Sequence, residues 1–179
     1  MLSTASMPFV AEPTTNYALL RVSRDAADGR HSIGAVATAV HRDLDATTAT
    51  QLRSSAFTAG LDARARSTDS HYTFGAYVVG SVVRGAPEAI AETQRSSVHL
   101  LQRPDRGGGA FDTTKTSLSG LSAEVRASKQ GGGHWRWGGN ARIVTSGFEV
   151  NDLGFQLRID DASATGWVGY AHFEPGRLF

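Results

Sequence analysis

The sequence predicts an all-β chain: an antiparallel up-and-down meander that forms part of a transmembrane β-barrel, as an open curved sheet or an incomplete barrel. Three observations predict it. Apolar and polar side chains alternate with a period of two over stretches of strand length, the spacing that sends successive side chains to opposite faces. The polar sets carry charges in mid-strand while aromatics gather near strand ends, as expected of a wet lumen between two membrane interfaces. The connections are short at one end of the meander and long at the other, another habit of outer-membrane barrels.

The clearest strand runs from Phe57 to Arg66. Phe57, Ala59, Leu61, Ala63 and Ala65 fall on one face, and Thr58, Gly60, Asp62, Arg64 and Arg66 on the other. A helix would scatter those charges around its circumference. From His134, the set Trp135, Trp137, Gly139, Ala141 and Ile143 opposes His134, Arg136, Gly138, Asn140 and Arg142. From Tyr72, one face holds Phe74, Ala76, Val78, Gly80 and Val82, and the opposite face is mixed. Ser117 to Ser128 sets Leu121, Ala123 and Val125 against Ser122, Glu124 and Arg126, and Phe155, Leu157 and Ile159 alternate with Gln156, Arg158 and Asp160. Weaker alternation marks Tyr17 to Arg24, Ser32 to His41, Ser97 to Gln102 and Gly166 to Phe173. The expectation is about nine strands, several near the ~9–11 residues that cross a bilayer at a tilt.

Asp28-Gly29 inside Ala26 to Arg30 is a tight-turn signal, and the glycine run in Lys129 to Gly133 closes a second hairpin. Asp43 to Ser55, Gly85 to Ser96 and Arg103 to Thr116 are longer connections. Within the second of these, Pro87 to Arg95 suits a short helix, since proline is at home in a first helical turn and the residues after it tolerate helix.

Composition narrows the function classes. The 179 residues suffice for one domain with a sizeable core. Lys and Arg total 18 against 17 Asp and Glu, a balance that gives no basic nucleic-acid face and no acidic tail. With no cysteine, disulfides and thiolate chemistry are excluded. The 20 glycines suit strands that must bend toward closure. No apolar run reaches the ~18 residues of a membrane helix. Met1 to Pro13 lacks a basic n-region and a sustained apolar segment, so it is not a secretory signal peptide. An exported protein needs one, and the expectation is that the true N-terminus lies upstream.

Alternation alone favours a soluble sandwich, the commoner arrangement, and a solvated outer face explains any one charged strand. A family resemblance tips the balance. Ser146-Gly147-Phe148-Glu149-Val150-Asn151-Asp152-Leu153-Gly154-Phe155 resembles a signature of a bacterial family whose members carry a family-9-type carbohydrate-binding module followed by a C-terminal domain of unknown function, number 5916. Leu20-Arg21-Val22 with Ser32 to Thr38 resembles a strand pair of that domain, and Ala56 to Asp62, Gly80 to Gly85, Glu88 to Ile90, Thr93 to Ser97 and Gln102 to Asp105 resemble later segments. The resemblance runs in order from about Tyr17 to Tyr170 and implies an outer-membrane-barrel-like domain. Family members are several times longer, and nothing before Tyr17 resembles the carbohydrate-binding module. The chain is therefore expected to be a fragment, with residues 1–16 unassigned and 17–179 a partial barrel domain.

Enzyme motifs are missing. The glycine runs 107–109 and 131–133 lack the lysine of a phosphate loop, and Gly120-Leu121-Ser122 lacks the closing glycine of a nucleophile elbow. The six histidines form no metal-binding pair at helical spacing. Trp135 and Trp137 are a candidate sugar-stacking pair, but both lie on the apolar face, which favours an interface or core role. No catalytic, cofactor or metal residue is assigned. The expected function is an outer-membrane segment of unknown substrate with a structural or transport role, not catalytic by itself. The alternative is a soluble β-rich module that binds or processes carbohydrate. Expected partners are outer-membrane lipid and the missing remainder of the parent chain, with carbohydrate as a further candidate and no nucleic acid. Asp62, Arg64, Arg66, Glu124, Arg126, Arg136 and Arg142 are expected to face the lumen from a concave side, with Ala59, Leu61, Val78, Ala123 and Trp137 on the convex side.

Overall fold

The computed structural model describes residues 12–103 and 111–172. Its strands are β1 (Thr15–Ala26), β2 (His31–Arg42), β3 (Ser55–Arg66), β4 (Tyr72–Arg84), β5 (Ser117–Lys129), β6 (Trp135–Val144) and β7 (Asp161–Tyr170). They form one seven-stranded sheet in sequence order, every neighbour antiparallel. The sheet is open: β1 and β7 stand at opposite ends of the order. The paired positions advance one for one along every ladder, so no bulge within them exchanges the two faces.

The polar face runs through Arg21, Val36, Gly60, Val79, Ser122, Val144 and Asp161 in one rung. The apolar face carries the alternate residues. Among the described residues, one helix, α1 (Pro87–Arg95), and a single 3-10 turn at Thr48–Thr50 complete the elements. Proline opens α1, Glu88 sits in its first turn and Arg95 in its last, charges placed to suit the helix dipole.

Short turns join the strands at one end. Ala27, Asp28 and Gly29 take positive φ of 52°, 60° and 79°, the left-handed run anticipated at Asp28-Gly29. Between β3 and β4, Asp69 accepts from the Ser67 hydroxyl and from the His71 amide. At the other end lie the long connections, 43–54, 85–116 and 145–160.

The core sits at the long-connection end and on the polar face alone. Ile90 of α1 packs on Val40, Ala56, Val83 and Leu118, one residue each from β2 to β5 and all on that face. Phe148, Leu101 and Ile159 pack on Val144. α1 and the 145–160 segment thus form a cap over half of the polar face.

Two expected strands are not strands. Ser97 to Gln102 is a turn-rich segment after α1, in which the Leu101 amide donates to the Gln94 carbonyl at 2.9 Å. Phe155 to Ile159 is an irregular part of the cap. There Gln156 and Ile159 are buried while Phe155 and Leu157 are exposed, a spacing of three that no strand presents. The last strand begins at Asp161 and ends at Tyr170 rather than running from Gly166 to Phe173, whose last residue lies outside the described residues. Seven strands, not about nine, are present among the described residues.

Two glycines separate the faces experimentally. A Cβ on Gly120, on the polar face, would strike the backbone of Phe148, whereas one on Gly80, on the apolar face, meets nothing nearer than 3.9 Å. We expect Gly120→Val to lower stability by roughly 1–3 kcal/mol through overpacking and Gly80→Val to be nearly neutral. Denaturant midpoints of the two variants check this.

Candidate functional site

All seven polar residues singled out from the sequence share the polar face. Asp62 aligns with Tyr77, Glu124 and Arg142; Arg64 with Gly75, Arg126 and Asn140; Arg66 with Thr73, Ser128 and Gly138. Arg136 lies on the same face opposite Gly169. It turns back toward the β5–β6 turn, where its Nη1 donates to the Gly133 carbonyl at 2.8 Å. Ala59, Leu61, Val78, Ala123 and Trp137 lie together on the other face.

The two faces differ in how their side chains are accommodated. On the polar face, side chains fold over glycines. Arg21 of β1 and Asp62 of β3 meet over Gly34 of β2 in an ion pair. The Trp167 indole lies over Gly138, its Nε1 2.7 Å from where a Cβ would stand. On the apolar face the residues stand apart and exposed: Leu61 is 57% exposed, Val125 59% and Ile143 48%.

The apolar face is a continuous band. Between Arg24, His31 and Lys129 at the short-turn end and Asn16, His41 and Arg84 at the other, every strand residue on that face among those described is Ala, Gly, Val, Leu, Ile, Phe, Tyr, Trp or Ser. Serine enters only beside the long connections, at Ser55, Ser117 and Ser119. Tyr72, Trp137, Trp135 and Tyr170 cluster at the short-turn end, with Trp135 edge-on to Tyr170 at 5.2 Å and Tyr72 6.4 Å from Trp137.

Sequence reasoning missed a second polar group, buried beneath the cap. Arg42 Nη2 donates to Asp152 Oδ1 at 2.7 Å. Arg53 Nη2 stands 3.0 Å from Asp152 Oδ2, and Arg53 Nη1 3.7 Å from Glu149 Oε2. His99 Nδ1 lies 3.5 Å from the same Glu149 oxygen. The Glu149 amide donates to Ser81 Oγ of β4 at 2.9 Å, and the Asn151 amide to Glu149 Oε1 at 2.7 Å. Gln156 closes the segment on itself by donating to the Phe148 carbonyl at 2.9 Å. Glu149 and Asp152 are only 2% and 4% exposed. Their carboxylates are held by two arginines from the β2–β3 region, so the network ties the cap to the sheet. The stretch Ser146 to Phe155 carried the resemblance, but nothing in its spacing revealed partners this far away. No group of three or more potential metal ligands is assembled among the described residues.

The profile of one protein family, DUF5916, a domain of unknown function, matches residues 3–179. The chain belongs to this family. No curated protein and no solved structure matches it. The DUF5916 assignment agrees with the resemblance carried by Ser146 to Phe155 and leaves function to be argued from geometry.

Burial decides which ion pairs matter for stability. Asp152→Asn would leave Arg42 and Arg53 facing a neutral group in a buried site, and breaking such a pair costs about 3–5 kcal/mol. Asp62→Asn removes a partner from a pair 44% and 25% exposed, worth under about 1 kcal/mol. We expect a large fall in the denaturant midpoint for Asp152→Asn, with faster proteolysis within 145–160, and a small one for Asp62→Asn.

Proposed function

We propose that this DUF5916 chain is a wall section of a bacterial outer-membrane β-barrel. The apolar face meets lipid, the polar face lines the lumen, and the cap of α1 and 145–160 sits inside the barrel at the long-loop end. Its role is structural or in transport. The observation that carries this reading is the position of the cap. A soluble half-buried sheet places its covering layer on the apolar face. Here the cap lies on the polar face, and the band from Leu20 and Val22 across to Val168 stays exposed. In water an apolar surface of this extent is a liability; in a bilayer it is the matching surface.

Dimensions agree. From Phe57 to Ala65 the apolar run rises roughly 26 Å at ~3.3 Å per residue. At a barrel tilt of ~35–45° it covers roughly 20 Å, near the ~25 Å apolar band of such barrels. Tyr72, Trp135, Trp137 and Tyr170 supply the aromatic girdle at one interface, which accounts for the tryptophans without a sugar ligand. No described helix is long and apolar enough to cross a membrane, so crossing falls to the strands.

Ala63 and Arg64 are adjacent in β3 and lie on opposite faces. With lipid on the Ala63 side, Ala63→Arg costs ~2–4 kcal/mol near the bilayer midplane and impairs insertion, while Arg64→Ala inserts normally. Fractionation of cells making the full-length protein, with outer-membrane recovery of each variant, checks this. Equal recovery of both, or a wild-type protein in the soluble fraction, would refute the membrane reading.

A further inference from the structure

We propose that the polar face, at the short-turn end left clear by the cap, holds a binding site for a small carboxylate- or phosphate-bearing solute. The inference rests on the lumen reading for its biological sense, though not for its chemistry. A hollow of about 820 Å³ lies there, with lining residues from every strand, β1 to β7. Its charged lining comprises Arg30, Arg64, Arg66 and Arg126 against Asp25 and Glu124, four cations to two anions.

The cations are arranged rather than scattered. Gly75 of β4 stands between Arg64 of β3 and Arg126 of β5 in one rung. The Arg126 side chain lies across it, its Nε 2.6 Å from where a Cβ would be. Arg126 therefore leans toward the strand that carries Arg64, which stands in the same rung and on the same face. Like charges so placed repel unless an anion sits between them. The carboxylates present approach the pair only loosely. Asp62 is engaged first by Arg21 and feels the Arg64 charge at longer range, and Glu124 Oε1 is 3.9 Å from Arg126 Nη1. Arg64 and Arg66 have no carboxylate within 4.0 Å among the described residues.

The rest of the hollow suits a compact polar guest. In the next rung Thr73 and Ser128 hydroxyls lie 2.7 Å apart. Trp167, laid over Gly138, offers a ring face, and Asn140 is aligned with Arg126. Planar forked donors match carboxylate and phosphate oxygens two at a time.

The test is a titration of the full chain, refolded in detergent, with citrate and, separately, with inorganic phosphate. The readout is the emission of Trp167 after Trp135→Phe and Trp137→Phe. A saturable change is expected with at least one of the two anions. Arg126→Gln should weaken binding roughly tenfold or more, the scale of a lost charge-assisted hydrogen bond. Arg21→Gln, which removes an equal charge already matched by Asp62, should weaken it by less than about twofold. Gly75→Ala is a second variant: the new Cβ displaces only the flexible Arg126 side chain, and affinity should fall with the fold intact. No saturable change with either anion, or equal weakening by Arg21→Gln and Arg126→Gln, overturns the site. Saturable binding of neutral glucose that Arg126→Gln leaves unchanged overturns the anion assignment. The titration needs no membrane insertion. Binding retained with failed insertion would therefore retire the lumen reading alone, and insertion without binding would retire the site alone.

Discussion

An unbroken antiparallel register over seven strands is the constraint on which the rest depends. A strand's side-chain period is two, so one extra residue in any ladder would carry every later side chain to the opposite face. Here each ladder advances one for one. Asp62, Glu124 and Arg142 consequently fall on the same face although they come from three strands, and Leu61, Val78 and Ala123 fall on the other. The exposed apolar band, the partly covered polar face and the alignment of Arg64 with Arg126 all follow from that register.

The two ends of the polar face serve different purposes. At the long-connection end, apolar residues replace charged ones: Val40, Ala56, Val83 and Leu118 give α1 a surface to pack on. Apolar burial alone is not directional, so it does not fix where the 145–160 segment sits. The Arg42 and Arg53 contacts with Asp152 and Glu149 do that, because a buried carboxylate displaced from its guanidinium pays a desolvation cost of several kcal/mol. At the short-turn end no described segment covers the face, and Arg64, Arg66 and Arg126 are exposed. Packing at one end and exposed charge at the other divide a single sheet surface into a closed and an accessible half.

Much of this was legible in the sequence, for reasons specific to particular residues. β3 was readable because Asp62, Arg64 and Arg66 alternate with Leu61, Ala63 and Ala65, leaving only a strand able to separate them. α1 was readable from Pro87, and the first hairpin from Asp28-Gly29. The misread segments were short alternations, Ser97 to Gln102 and Phe155 to Ile159, too brief for periodicity to distinguish a strand from a loop with a few buried residues. The capping network was not legible at all. Arg42 and Asp152 are 110 residues apart, and local pattern carries no information about such a pairing.

The glycines bring the two faces into one physical account. Gly34, Gly75, Gly120 and Gly138 lie on the polar face, and each has a side chain or backbone segment pressed into the place a Cβ would occupy. On the apolar face Gly80 and Gly166 have only distant backbone near that place, while Gly139 has the Thr165 carbonyl 3.0 Å from it. Bulk on the polar face lies where a neighbouring strand offers a glycine: Arg126 occupies the space over Gly75, Trp167 that over Gly138, and the Phe148 backbone that over Gly120. On the apolar face the larger chains project beside alanine and glycine and stay exposed. The polar face can carry long side chains such as Arg21 and Arg126 because each has a neighbouring glycine over which to lie.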